Sequence, residues 1–440
     1  MLYERWREIA RARREEIALR DLAQGRAWTF RELAEQTEAA APSTHDLAHP
    51  QGGSAAFVFA VLRAWREGRV VCPLEVGQAP PGVPIPPPGI VHLKTTSATT
   101  GVPRVVALTA AQLAADADNI VETMGLRPDW PNLGVISLAH SYGFSNLVAP
   151  LLLHGIPLFL LDSPLPEAVR RAAASAPRLT LPAVPALWRA WHEAGAIPPN
   201  IGLAISAGAP LPLPLEQAVF AATGLKLHNF YGATECGGIA YDATNTPRDD
   251  ASCVGGPMKN VALSANGDGW LEVCGPAVAE IYWPEPGADL ANGCYRTSDL
   301  VELNDGRVFL RGRASEQINI AGRKVSPETI ERALLAHSLV RDCLVFGVPS
   351  ADAERGESIV VCIVARAAVT SETLRQFLLP KLPAWQLPRE WRFVGALDAN
   401  ERGKLSRAEW RRKFLHEAGT EIPSSKFKAQ GKEQIPGAKL

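Results

Sequence analysis

Between about residues 55 and 245, short apolar runs alternate with helical stretches, and this alternation is the strongest constraint on the fold. GRVVCPL (68–74), NLGVISL (132–138), IPLFLLD (156–162), PRLTLP (177–182), IGLAIS (201–206) and LKLHNF (225–230) read as strands. AAFVFAVLRAWREG (55–68), AAQLAADADNIVETMG (110–125), PEAVRRAAASA (166–176) and PLEQAVFAATG (214–224) read as helices between or beside them. Such a pattern predicts an α/β layer structure with a largely parallel sheet. Ligands of open α/β sheets bind beyond the carboxyl ends of the strands. Chemistry is therefore expected in AHSYG (139–143), SAGAP (206–210) and YGATE (231–235), each predicted to be a turn just after a strand.

The rest of the chain changes character twice. SANGDGWLEVCG (264–275) and DLVELNDGRVFLRG (299–312) carry turn dipeptides between strand-like runs, which predicts hairpins in a β-rich subdomain. SPETIERALLAH (326–337) reads as a helix, with Ser326 at the N-cap and Pro327 at the first helical position. The strands RDCLVFGVP (341–349) and ESIVVCIVAR (357–366) and the helix SETLRQFLLPKL (371–382) complete a compact α+β unit. SSKFKAQGKEQIPGAKL (424–440) is polar and rich in lysine, the composition of a disordered tail.

At 440 residues the chain is too long for one core. A net charge of -1 argues against nucleic acid or an anionic membrane as the main partner. The start, MLYERWREIARARREEIALRD, is charged and lacks the apolar core of a signal peptide. LVAPLLLHGIPLFLL (147–161) is broken by Pro150, Gly155 and Pro157, so it reads as a buried helix-turn-strand and no membrane span is expected. The seven cysteines form no CxxC pair and no metal-ligand spacing with the nine histidines. They read as core thiols in a reducing compartment, and a cytoplasmic address follows.

Five stretches carry candidate chemistry. TTSATTGVPRVV (95–106) crowds hydroxyls around one glycine. It is not the GxxxxGK[ST] loop of NTPases, yet its backbone N–H groups and hydroxyls can wrap an anion, with Arg104 adding a planar cation. In NFYGATECGG (229–238), Tyr231 suits stacking on a base, Thr234 a phosphate, and Glu235 a hard cation such as Mg²⁺. YRTSDL (295–300) delivers Asp299 to accept ribose hydroxyls, RGRASEQINIAGRKVSPE (311–328) supplies Arg313 and a flexible junction, and NERGKLSR (400–407) presents Lys404. Each of these alone also fits a core tyrosine, a surface acid or a solvated lysine. No GxSxG is present and no cysteine has an evident histidine partner, which argues against a serine or cysteine hydrolase.

Taken in order, TTSATTGVPRVV, LAHSYG, SAGAP, NFYGATE, YRTSDL, GRASEQINIAGRKVSPETIE and GKLSR resemble the motifs of the adenylate-forming superfamily of acyl-CoA synthetases, nonribosomal adenylation domains and luciferases. The resemblance runs from RWREIA near the start to Arg407. It implies a large N-terminal domain (1–314) of several layers, with mostly parallel sheets and a β-rich subdomain. It also implies a small mobile α+β lid domain (315–420) carrying the catalytic lysine, with 421–440 as the tail. The implied reaction activates a carboxylic acid with ATP as acyl-AMP, releases pyrophosphate, and passes the acyl group to a thiol. The acceptor is coenzyme A or the phosphopantetheine of an acyl carrier protein.

By the same resemblance, Thr96, Ser97, Ala98, Thr99, Thr100, Gly101 and Arg104 would cradle the β- and γ-phosphates. Gly208, Ala209 and Pro210, with Asn229, Phe230, Tyr231 and Gly232, would form the adenine side, and Asp299 and Arg313 would hold the ribose. Thr234 would meet the α-phosphate, Glu235 would bind Mg²⁺, and Lys404 would bridge the carboxylate and the phosphate. His140, Tyr142 and Gly143 would border the acyl pocket, Gly237 and Gly238 would floor it, Ser315 would be the hinge, and Gly322 would face the thiol acceptor. The glycine floor, with no acid placed to bind an amino group, suggests a hydrophobic carboxylic acid.

Several positions depart from the family pattern: Ala98 for glycine, Arg104 for lysine, Ser298 for glycine, Ser315 for an acidic or lysine hinge and Asn319 for lysine. The N-terminal region is short, with VGQAPPGVPIPPPGI (76–90) ahead of the phosphate loop. The alternatives are a ligase that loads a carrier protein or closes a β-lactone, and a catalytically silent nucleotide-binding regulator. Retention of Glu235 and Lys404 disfavours the last.

Overall fold

The computed structural model describes residues 1–96, 104–350, 352, 355–397 and 406–417. Its largest sheet has nine strands, in the order Gly256–Pro257, Gly237–Tyr241, Leu227–Ala233, Ile201–Ser206, Leu179–Ala183, Asn132–Gly134, Leu158–Leu160, Ile17–Asp21 and Arg26–Thr29. The six from Leu227–Ala233 to Ile17–Asp21 run parallel, as the alternation predicts. Both edges are antiparallel. The central strands are apolar without alternation because both faces are covered: every residue of Leu179–Ala183 is buried. Trp188 and Trp191 of helix Pro185–Glu193, Val169 of Pro166–Ala173 and Val219 of Leu213–Thr223 share one core cluster with that sheet.

Helix Ala110–Met124 joins two other clusters, giving Leu113 and Ala117 to one and Ile120 and Met124 to the next. It starts at a capping box, in which Thr109 Oγ1 accepts from the Gln112 N–H and the Gln112 side chain accepts from the Thr109 N–H. It stops at Gly125, whose φ of 64° suits glycine. A second sheet has the order Ile281–Trp283, Val105–Thr109, Ile90–Thr95, Val70–Val71 and Leu47–Ala48, and its strand Val105–Thr109 runs directly into this helix. It is half antiparallel, whereas mostly parallel sheets are expected from the sequence.

Both expected hairpins form: Ala262–Ala265 pairs with Trp270–Cys274, and Cys294–Asn304 with Arg307–Arg313. The carboxy-terminal strands Val340–Pro349, Glu357–Ala365 and Glu390–Phe393 make a separate sheet. Its core is drawn from residues between Ile318 and Leu387, including Ile330 and Leu334 of helix Pro327–Leu335. Ser326 stands at the N-cap of that helix, but its hydroxyl donates to Glu328 rather than capping the backbone.

Three expectations need correction. The strand expected to end at Phe230 continues to Ala233, because Gly237–Tyr241 folds back and pairs with it; the turn is therefore Thr234–Cys236 rather than YGATE. The strands read over 68–74 and 132–138 shrink to Val70–Val71 and Asn132–Gly134. The cysteines are not all thiols: Cys274 and Cys294, directly opposite on neighbouring antiparallel strands, form a disulfide, and the other five are buried and free. That pairing depends on strand register, which cysteine spacing does not encode. Among the described residues no helix is long and apolar enough to cross a membrane, and 147–161 is the expected helix-turn-strand. The tail 421–440 lies outside the described residues.

Candidate active site

The hydroxyl-rich loop leaves the antiparallel pair Ile90–Thr95 and Val105–Thr109. Its neck is closed twice: the Thr96 N–H donates to the Arg104 carbonyl at 2.8 Å, and the Arg104 N–H donates to Thr96 Oγ1 at 2.9 Å. Ser97, Ala98, Thr99, Thr100 and Gly101 lie outside the described residues, as does Lys404.

From the neck, Arg104 reaches across to the next strand. Its guanidinium lies over the Tyr282 ring, 3.2 Å from the centroid, with one terminal nitrogen 3.2 Å from Asp289 Oδ2. The Tyr282 hydroxyl lies 3.1 Å from Glu235 Oε1 and 3.3 Å from Asp289 Oδ2. Glu235 sits in the tight turn after Leu227–Ala233 and is almost buried. Burial pushes its carboxyl up, and Asp289 adds to this; the Tyr282 hydrogen bond and Arg104 act the other way. A carboxylate held in that state gains from a cation.

Glu235 offers one hard oxygen ligand, and among the described residues no group of three or more acidic, histidine or cysteine side chains could make a metal cage. That donor set fits Mg²⁺, which takes one or two carboxylates and completes its shell with substrate phosphates and water. Tyr282 and Asp289 have no counterpart in the sequence reading. They belong to no motif, and only the pairing of Ile281–Trp283 with Val105–Thr109 brings them here.

On the nucleoside side, strand register places Asp299 opposite Arg313. Arg313 Nε donates to Asp299 Oδ1 at 3.0 Å, and the Tyr231 hydroxyl donates to Oδ2. Burial, reinforced by Asp299, holds the Tyr231 hydroxyl protonated well above its usual range. The structure thus brings together three of the expected residues. Gly208, Ala209 and Pro210 follow strand Ile201–Ser206, and Gly208 adopts a φ of 83°. Asn229 is buried, and Phe230 packs in the core with its ring 5.9 Å from that of Tyr142. Gly232 is exposed, and a Cβ on it would sit 2.7 Å from the Gly237 carbonyl across the hairpin. Thr234 lies in the turn between the two strands.

His140, expected to border the acyl pocket, precedes the short helical turn Ser141–Gly143. Its Nε2 is 3.1 Å from Glu75 Oε1, the atom that also accepts from Ser137 Oγ. Gly143 is required by packing, because a Cβ there would collide with the Ser137 carbonyl. Gly237, at φ 69°, leaves no room for a side chain beside Asp116, and the Gly238 N–H donates to Asp116 Oδ1 at 3.2 Å. Asp116 is buried with Ser145, whose hydroxyl donates to it at 2.6 Å, and with Lys94 at 3.5 Å. Gly237 and Gly238 therefore rest on a buried ion pair. Charges inside apolar stretches, Lys94 in VHLKT (91–95) and Asp116 in AAQLAADADN (110–119), are the sequence signal that could have found it.

Ser315 lies in the turn Ala314–Glu316, and Gly322, at φ 79°, joins strands Ile318–Ile320 and Arg323–Val325. Beside Ser315, Glu316 pairs with Arg407, whose guanidinium also meets Glu328 at 3.1 Å and Glu331 at 2.7 Å. Three carboxylates share one cation. Burial outweighs Arg407 at Glu331 and pushes that carboxyl up from 4.5 to about 7. A raised carboxyl favours the folded state below its unfolded pKa and loses that contribution as pH rises through 7. The contribution of Glu331 to stability is therefore expected to fall by on the order of 2 kcal/mol between about pH 5 and 8, seen as the difference in pH dependence between the wild type and Glu331→Gln. Urea unfolding of both proteins across this range checks it.

A family model described as "AMP-binding enzyme" matches residues 60–283, and one described as "AMP-binding enzyme C-terminal domain" matches residues 329–404. The chain belongs to the AMP-binding enzyme family. It is an adenylate-forming ligase. It is 32% identical over 343 residues to a probable 2-succinylbenzoate–CoA ligase of Mycobacterium tuberculosis, covering 74% of this chain and 84% of that one. It is 28% identical over 366 residues to the mitochondrial malonate–CoA ligase ACSF3 of Mus musculus, covering 71% and 63%. The fold is shared with an ATP-bound RpMatB-BxBclM chimera, at TM-score 0.82, 20% identity and coverage of 94% and 98%. It is shared too with the o-succinylbenzoate CoA synthetase MenE of Bacillus subtilis, solved with an acyl-adenylate, at TM-score 0.79, 20% identity and coverage of 92% and 97%.

Proposed function

We propose that this enzyme activates a carboxylic acid with Mg·ATP and transfers the acyl group to the thiol of coenzyme A. A carboxylate oxygen attacks the α-phosphorus, the bond to the β-phosphate oxygen breaks, and pyrophosphate leaves. The thiol sulfur, losing its proton, then attacks the acyl carbon of acyl-AMP, and AMP leaves. The observation that carries this reading is the convergence of Arg104 and Glu235 through Tyr282 at the neck of the hydroxyl-rich loop.

The first step joins two anions, so it requires positive charge placed in advance. Arg104 and the loop serve the β- and γ-phosphates, Thr234 the α-phosphate, and Lys404 the incoming carboxylate. Glu235 would hold Mg²⁺, which supplies further charge neutralisation to the polyphosphate. Asp299, already fixed by Arg313 and Tyr231, keeps free lone pairs for ribose hydroxyls. Gly208–Pro210 and Tyr231 form the adenine side.

The acid is a hydrophobic one, bordered by His140 and Tyr142 and floored by Gly237 and Gly238; the Tyr142–Phe230 packing supports an apolar wall. Residues 315–420 act as the lid, a division supported by the separate core between Ile318 and Leu387. Coenzyme A, rather than a carrier protein's phosphopantetheine, is favoured by the CoA-ligase names of the relatives. The cytoplasmic address rests on the supply of ATP and coenzyme A there, since cysteine usage no longer supports a fully reduced chain.

The test offers Mg·ATP, a panel of aromatic, aliphatic and dicarboxylic acids, and either coenzyme A or a phosphopantetheinylated carrier protein. Acyl-CoA and AMP formed from an apolar acid are expected. Thioester formed only on the carrier, or only from dicarboxylates, would overturn the acceptor or the acid class respectively.

A further inference from the structure

Arg104 is not a loose surface cation. Three features from one short segment shape its position. The Tyr282 ring lies under the guanidinium plane, Asp289 Oδ2 accepts from one terminal nitrogen at 3.2 Å, and Gly287 leaves the other terminal nitrogen its space. A Cβ on Gly287 would collide with that nitrogen. The same Tyr282 hydroxyl reaches both Glu235 and Asp289, so the seat is bonded to the carboxylate assigned to Mg²⁺. Tyr282 is 2% exposed, which makes it a rigid platform. Two carboxylates and one guanidinium thus meet around one phenol.

We propose that Tyr282, Gly287 and Asp289 form a seat that positions Arg104 beside Glu235 for the β- and γ-phosphates of Mg·ATP, which makes Asp289 a positioning residue for nucleotide recognition. The proposal rests on the assignment of Arg104 and Glu235 to the polyphosphate. A planar guanidinium can stack on the ring, pair with Asp289 through one nitrogen and keep further N–H groups in fixed directions, which the point charge of a lysine cannot reproduce. A guanidinium already held in place loses less freedom when it meets phosphate. Only one of its nitrogens is engaged by Asp289, and the remaining N–H groups serve the ligand.

The experiment measures equilibrium dissociation constants for Mg·ATP and for AMP, without any acid, on the full chain. Arg104→Lys should weaken Mg·ATP about tenfold, and Asp289→Asn about threefold to tenfold. Gly287→Ala, which keeps both charges but sets a Cβ against the guanidinium, 2.7 Å from Asp289 Oδ1 and 3.0 Å from the Tyr282 ring, should weaken it by a similar factor. AMP lacks the β- and γ-phosphates, so its affinity should stay within about twofold in all three. A general structural lesion would instead weaken both nucleotides.

The decisive variant is the double one. In an Asp289→Asn background, Arg104→Lys should cost less than about threefold more, because the seat is already broken. Full multiplication of the two single effects overturns the proposal, as does wild-type Mg·ATP affinity in Gly287→Ala. Binding is read without turnover, so an enzyme that proves inactive on every acid would sink the proposed function and leave this test intact.

Discussion

Lys404→Ala is expected to slow acyl-adenylate formation at least about a hundredfold, some 2.7 kcal/mol of transition-state stabilisation. Thioester formation from supplied acyl-AMP should stay within about fivefold. The asymmetry follows from the charges. In the first step a carboxylate approaches a phosphate that is already anionic, and the transition state crowds negative charge between them. In the proposed arrangement Arg104 and a cation on Glu235 would face the outer phosphates, so a further cation at the attacking oxygen is worth most at that moment. In the second step a thiol attacks the acyl carbon of a mixed anhydride and the polyphosphate has gone. Lysine carries its charge on a long flexible stem, so arginine should restore only part of the rate. Acid-dependent pyrophosphate exchange measures the first step and single-turnover thioester formation the second. Equal losses in both would contradict the assignment.

The largest expected effect on stability comes from a residue with no chemistry. Arg248 is buried with Glu216, Lys226 and Asp242 in a closed network of two acids and two bases. Arg248 Nε donates to Glu216 at 2.8 Å, and its two terminal nitrogens donate to the carbonyls of Cys253 at 2.7 Å and Leu211 at 2.8 Å. Lys226 and Asp242 flank strands Leu227–Ala233 and Gly237–Tyr241, and Leu211 follows the Gly208–Pro210 turn. The network therefore anchors the backbone that carries the proposed adenine side.

Arg248→Ala leaves two buried carboxylates, Glu216 and Asp242, sharing the single cation Lys226, and truncating one partner of such a network costs about 3–5 kcal/mol. Chemical denaturation should show that loss in the transition of the larger part of the chain. Adding Glu216→Gln should recover part of it, because the orphaned charge is then gone. A loss below 1 kcal/mol for Arg248→Ala would show the network to be solvated.

What could be read from the sequence was local. The parallel strands near Leu179–Ala183 and Ile201–Ser206 announce themselves as unbroken apolar runs, and the hairpins at 264–275 and 299–312 through turn dipeptides. The pairing of Asp299 with Arg313 follows once that second hairpin is accepted. The missing pieces are long-range. Asp289 meets Arg104 across 185 positions, and Lys94 meets Ser145 across 51. No periodicity links such pairs; only sheet order does. The Tyr231 ring suits a base, and the bond of its hydroxyl to Asp299, which no motif announces, is set by the close approach of two sheets. The Cys274–Cys294 bond was missed for the same reason: it depends on register.

The most direct measurement is acid-dependent exchange of labelled pyrophosphate into ATP by the purified full chain. The account predicts exchange that requires both Mg²⁺ and a carboxylic acid and falls at least about a hundredfold in Glu235→Gln. Tight ATP binding with no exchange across a broad panel of acids, or exchange that survives Glu235→Gln unchanged, would contradict it.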